Sequence, residues 1–85
     1  MITDEQYKKN GFKSQGFWNN RSYYEKNGFK IVEHNGNTSR CDDKHWSGYG
    51  DYMNTIEELC KGYNKWAKDR IEQLEKELNQ LKNSL

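Results

Sequence analysis

The chain has 85 residues, enough for one small domain plus an appended element. Only 32% of the residues are hydrophobic, so a monomer has a thin core, and chains of this size often need a staple or a partner. Net charge is +1: eight Lys/Arg stand against seven Asp/Glu over residues 1–52, and six against six over residues 53–85. Neither half is the basic arm that strong nonspecific nucleic-acid binding calls for.

Three Trp, six Tyr and three Phe argue against disorder, which is usually aromatic-poor. The opening MITDEQYKKN has no apolar run of the signal-peptide kind, and no segment is apolar enough to span a membrane. Cys41 and Cys60 do not make a disulfide framework. The expectation is a reduced, cytoplasmic protein, in which the Asn20 and Asn37 sequons are chance.

Thr3-Asp4-Glu5 supplies a cap and an acidic first turn for a short helix. The next heptapeptide, Tyr7-Lys8-Lys9-Asn10-Gly11-Phe12-Lys13, recurs seventeen residues on as Tyr24-Glu25-Lys26-Asn27-Gly28-Phe29-Lys30, with six of seven positions identical. Asn-Gly between apolar residues is a type I′ hairpin signal. It also fits a helix C-terminus with Gly left-handed and Phe packed back on Tyr, the Schellman arrangement. The second reading is preferred for both copies, with Asn20 or Ser22 capping a second short helix.

The extended second copy, Tyr23 to Glu33, resembles the helix-turn-strand near the C-terminus of acetyl-CoA-dependent N-acetyltransferases, whose pattern is roughly F-Y-E-K-x-G-F. The likeness covers about eleven of the 85 residues. It implies local geometry alone, since the chain has no Gly-rich pyrophosphate loop and is too short for that fold.

Phe29 to His34 reads as a strand, and Asn35-Gly36 turns it into a second strand from Asn37 to Cys41. Asp42 to Tyr52 reads as an aromatic loop. A helix then starts at Asn54 or Thr55, either of which has Glu three residues on. Its apolar residues fall at Ile56, Leu59, Tyr63, Ala67, Ile71, Leu74, Leu78, Leu81 and Leu85, in steps of three or four. Ile71, Leu78 and Leu85 take the a positions of a heptad, and Ala67, Leu74 and Leu81 take d. A two-residue seam is narrower than the face of an ordinary globular helix, and it predicts self-association into a dimer or higher oligomer. Gly62 is the weak point of this helix.

The expected fold is therefore α+β. Residues 1–53 form a small aromatic-rich domain of two short helices and a β-hairpin. Residues 54–85 form one long amphipathic helix whose second half is a short coiled coil.

His34, Cys41, His45 and Cys60 are zinc-ligand types, but they lack two closely spaced pairs. Cys41 with His45 and Asp42 or Asp43 could be written as nucleophile, base and orienter, yet adjacency in sequence says little about assembly in space. No cofactor and no catalytic set are expected. Two aromatic-basic clusters are better candidates for contact with a partner: Trp18 and Arg21 with Tyr23 and Tyr24, and Arg40, Lys44, His45, Trp46 and Tyr49 with Tyr52. Such residues dominate protein–protein hot spots and also stack on bases. At least half of these rings are expected in the core, because aliphatics are few. The function expected is a homo-oligomeric binding module, in character like the bacteriophage or mobile-element accessory proteins that inhibit a host or defence protein by occupying it. RNA or nucleotide binding through the Arg/Trp/Tyr surface is the alternative.

Overall fold

A computed structural model describes residues 1–41, 48, 49 and 52–85. The first element is helix α1 (Asp4–Lys9), begun by a complete capping box. The Thr3 hydroxyl accepts from the Gln6 amide at 3.2 Å, and the Gln6 side chain accepts from the Thr3 amide at 2.9 Å. Asn10 caps the other end, and Gly11 comes next at φ 86°. The Phe12 amide donates to the Tyr7 carbonyl at 2.9 Å and the Gly11 amide to the Lys8 carbonyl at 3.0 Å, the two bonds of a Schellman motif. Phe12 packs edge-on against Tyr7, with ring centroids 6.3 Å apart. The first heptapeptide therefore ends a helix, as its sequence predicts.

The second copy does not. Arg21–Lys26 is strand β2, and no second short helix forms there. Asn27 and Gly28 take φ 52° and 92°, the paired positive values of a type I′ turn, and the chain returns as β3 (Phe29–His34). The backbones of the two copies part at asparagine: Asn10 has φ −96°, whereas Asn27 is left-handed. Asparagine tolerates both states, so the heptapeptide is locally undecided. The residues downstream of each copy decide it. Phe29 leads into Lys30-Ile31-Val32, whose β-branched pair lies in a strand bonded to β2 on one side and to β4 on the other. The acetyltransferase-like segment is accordingly a hairpin, not helix-turn-strand.

Three two-residue hairpins in succession make an antiparallel meander. β1 (Lys13–Trp18) turns through Asn19-Asn20 into β2, and β3 turns through Asn35-Gly36 into β4 (Asn37–Cys41). The outer two turns share the I′ signature of two successive positive φ values: Asn19 53° and Asn20 60°, Asn35 53° and Gly36 83°. The two residues of β5 (Gly48–Tyr49) pair with the end of β4, so they lie in a strand and not in the predicted loop. The sheet order is β1-β2-β3-β4-β5.

Tyr24, Phe29 and Ile31 bury one face of this sheet against Ile2, Tyr7 and Phe12 of the N-terminal segment and Leu59 of helix α2 (Ile56–Asn83). Met53, Ile56, Tyr63 and Trp66 close the rim of the same core. Thr55 is the N-cap of α2, its hydroxyl accepting from the Glu58 amide at 3.1 Å. Asn54 instead ties the helix start to β4: its side chain accepts from the Thr38 amide and donates to Asn37 Oδ1, both at 2.9 Å. Gly62 has a packing reason, because a Cβ there would stand 2.6 Å from Met53 Sδ. Val32, Ser39 and Cys41 are buried on the other side of the sheet, where the period of two places them.

Asn27→Ala deletes one side-chain hydrogen bond, to the Tyr63 hydroxyl at 2.8 Å, while Asn10→Ala deletes one to the Gln6 carbonyl at 2.8 Å and the acceptor of a weak bond from the Cys60 thiol at 3.7 Å. Of the two, Asn27 alone holds a left-handed backbone. Asn27→Ala is expected to cost about 1 kcal/mol more than Asn10→Ala, measured by urea unfolding. Equal costs would contradict the different conformations of the two copies.

Candidate partner-binding site

The end of the β1–β2 hairpin gathers the largest exposed aromatic pair in the described sheet. Phe17 is 70% exposed and Trp18 72%. In register, Phe17 stands opposite Ser22 and Trp18 opposite Arg21. Side chains alternate along a strand, so Phe17 shares the face of Ser22 and Tyr24, and Trp18 shares that of Arg21 and Tyr23. The hairpin thus ends with one ring on each side. Arg21 is half-buried and its guanidinium donates to the Asn19 carbonyl at 3.2 Å, which anchors the arginine to the turn.

Every residue of β1 is exposed, and β1 is the outer strand of the sheet. Its register slips at Gly16, φ 118°, where Gln15 is the extra residue of a bulge. Bulges and edge lysines such as Lys13 discourage uncontrolled strand pairing. The strand therefore reaches its tip without becoming a flat template for aggregation.

Trp18 and Arg21, expected together, stand opposite each other in the hairpin register. Arg40 is elsewhere: it lies two strands away in β4, opposite Ile31, with its guanidinium 5.7 Å from the Phe29 ring. It flanks the aromatic core. Of the expected second cluster, Tyr49 belongs to β5 beside Arg40, while Lys44, His45 and Trp46 lie outside the described residues. Tyr24 is core and not surface, stacked on Tyr7 with ring centroids 4.0 Å apart. Phe17 was missing from the expected set. Its signal was present, an aromatic pair immediately before a two-residue turn.

The seam expected on α2 is exposed surface. Ala67 is half-buried at the edge of the core, and every residue from Lys68 to Leu85 is exposed. Leu78 and Leu81 expose 52% and 66% of their surface. No helix among the described residues is long and apolar enough to cross a membrane.

Among the described residues no three His, Cys, Asp or Glu side chains gather as a metal cluster. Cys41 is buried, and Cys60 directs its thiol to Asn10 Oδ1 at 3.7 Å. His45, needed by both the zinc and the nucleophile readings, lies outside the described residues.

The polar chemistry inside the fold is structural. The Tyr7 hydroxyl is hydrogen-bonded to the Thr38 hydroxyl in the core. The Tyr24 hydroxyl donates to Asp4 Oδ1 at 2.8 Å, and Lys8 pairs with Asp4 Oδ2 at 2.9 Å. Hydrogen bonds from Lys8 and Tyr24 hold the Asp4 carboxyl below its ordinary range. Burial pushes the phenols of Tyr7 and Tyr24 above their ordinary value of 10.0, and for Tyr24 the Asp4 carboxylate adds to it. A phenol whose folded pKa is raised contributes stability that is fully present below about pH 10 and lost as pH rises through the folded value. Titration followed by phenolate absorbance should show the Tyr7 and Tyr24 phenols ionising above the ordinary range. Tyr24→Phe should remove one of them. A folded protein whose absorbance change is complete near pH 10, with nothing left to titrate above it, would contradict the buried phenols.

No protein-family model matches the chain, and no curated protein or solved structure is significantly similar to it.

Proposed function

We propose that this protein is a homo-oligomeric protein-binding module, and that it acts by occupying the surface of another protein. One observation carries the reading. Among the described residues, the large apolar side chains left exposed, Met1 and Tyr52 apart, fall at two separate places: Phe17 and Trp18 at the hairpin tip, and Ile71, Leu74, Leu78 and Leu81 on the free half of α2 with Leu85 just beyond its end. Concentrated apolar exposure marks interaction sites, whereas scattered exposure does not. The helix seam serves assembly with other copies. The hairpin tip, one ring on each face with a turn-anchored arginine on the Trp18 side, has the composition of a binding hot spot for an apolar cleft.

A protein partner suits the tip better than a nucleic acid. Lys13 and Arg21 are the only cations of the β1–β2 hairpin besides Lys26, whose ammonium lies 4.2 Å from the Tyr63 ring. Phosphate backbones demand a larger positive field. Inhibition of a host or defence protein, in the manner of phage and mobile-element accessory proteins, is the biological role that such a module fits.

The test is capture from nuclease-treated lysate with the unmutated protein and with a Phe17→Ser/Trp18→Ala variant. Both side chains are exposed, so the variant should unfold within about 0.5 kcal/mol of the parent. A protein retained by the parent and lost by the variant is the expected result. Equal retention by both, or recovery that nuclease abolishes, would sink this reading.

A further inference from the structure

The exposed half of α2 carries information about which way its partner runs. With Ile71, Leu78 and Leu85 at a and Ala67, Leu74 and Leu81 at d, the flanking e positions are Lys68, Glu75 and Lys82, and the g positions are Arg70, Glu77 and Ser84. All six are exposed in the fold. We infer that the free half of α2 pairs with a second copy of this chain as a parallel, in-register, two-stranded coiled coil. This rests on the homo-oligomer reading above and adds its orientation and number.

Charge complementarity selects the orientation. In a parallel pair each g residue meets the e residue of the partner's next heptad. Arg70 then faces Glu75 of the other copy, and Glu77 faces Lys82. Both contacts are between opposite charges, and twofold symmetry repeats each of them. In an antiparallel pair e meets e and g meets g. At full overlap, with Ile71 against Leu81 and Leu74 against Leu78, Lys68 would face Lys82, Glu75 would face Glu75, and Glu77 would face Glu77. Three sets of like charges oppose that arrangement.

Sliding the antiparallel pair by one heptad relieves the repulsion at a cost in apolar contact. One direction sets Asn64 and Cys60 against Leu81 and Leu85. The other removes Ala67 and Ile71 from the seam. The parallel pair keeps all six apolar positions, from Ala67 to Leu85, in matched layers.

A second feature agrees. The a position one heptad before Ile71 is Asn64, which is exposed. A polar asparagine at a single a position pairs with its own copy and specifies register and strand number. Five charged residues among the six e and g positions keep the seam two residues wide, whereas larger bundles bury those flanks.

The arrangement places both folded heads at the same end of the particle. Two Phe17–Trp18 tips then serve one partner assembly, and binding at the first raises the effective concentration at the second.

The decisive variant is Glu75→Gln/Glu77→Gln, which alters only exposed side chains. Sedimentation equilibrium at low salt should show the dimer dissociation constant rising on the order of tenfold, and salt should weaken the parent more than the variant. In the antiparallel pair the same change removes repulsion, so an unchanged or tighter dimer overturns the parallel assignment while leaving self-association standing. A parent protein that is monomeric at all concentrations overturns self-association itself. A crosslink supplies the independent readout. In a Cys60→Ala background, Leu81→Cys should form a disulfide with its own copy, whereas in the fully overlapped antiparallel pair the two positions stand about 15 Å apart along the axis.

Discussion

Tyr7 and Tyr24 lie face to face, 4.0 Å between ring centroids, and the rest of the head is arranged around them. Each opens one copy of the repeated heptapeptide. Tyr7 reaches the Thr38 hydroxyl of β4, and Tyr24 reaches Asp4 at the start of α1. The stack therefore ties the N-terminal helix to the middle of the sheet through both rings and both hydroxyls. Five residues on, Phe12 and Phe29 meet edge-on at 6.4 Å, and Tyr63 of α2 packs edge-on against both of them. Aromatic pairs of this kind contribute about 0.5–1.5 kcal/mol each beyond the area they bury. In a chain with few aliphatics that is a substantial part of what holds a small head together.

The same heptapeptide reaches this cluster by two routes. In the first it ends a helix, and in the second it forms a hairpin, yet Tyr and Phe arrive on the core side both times. Tyr and Phe stand five residues apart in either route. The Schellman motif folds Phe12 back over Tyr7, while the hairpin sets Phe29 diagonally across the β2–β3 ladder from Tyr24. A helix end in the second copy satisfies the heptapeptide itself and ignores its neighbours. A strand pair is a non-local object, and the residues that favour it lie beyond the heptapeptide.

Helix α2 belongs to two environments. Leu59 is fully buried and Tyr63 and Trp66 close the core, while none of the described residues of the head covers the helix beyond Ala67. The helix is about 42 Å long at 1.5 Å per residue, longer than a five-stranded sheet of short strands can cover. Among the described residues, its free half and the bare tip of the β1–β2 hairpin are the places where this fold has concentrated apolar surface to offer.

Elements whose signals are local were legible in the chain before any packing was known. These include a cap and acidic first turn at Thr3-Asp4-Glu5, the Asn35-Gly36 hairpin with both its strands, a helix start at Asn54 or Thr55, and the stripe along α2. Each depends on side chains within a few residues of one another, so a linear reading suffices. The conformation of the second heptapeptide was settled by strand pairing, because Asn27-Gly28 serves a helix end and a I′ turn equally and the residues that choose lie on neighbouring strands. Tertiary packing likewise decided which aromatics face water. Tyr24 and Phe29 lie on inner strands beneath α1 and α2, whereas Phe17 and Trp18 stand at the exposed end of an edge strand. Residue type alone does not distinguish them, since burial depends on what the rest of the chain places above each ring.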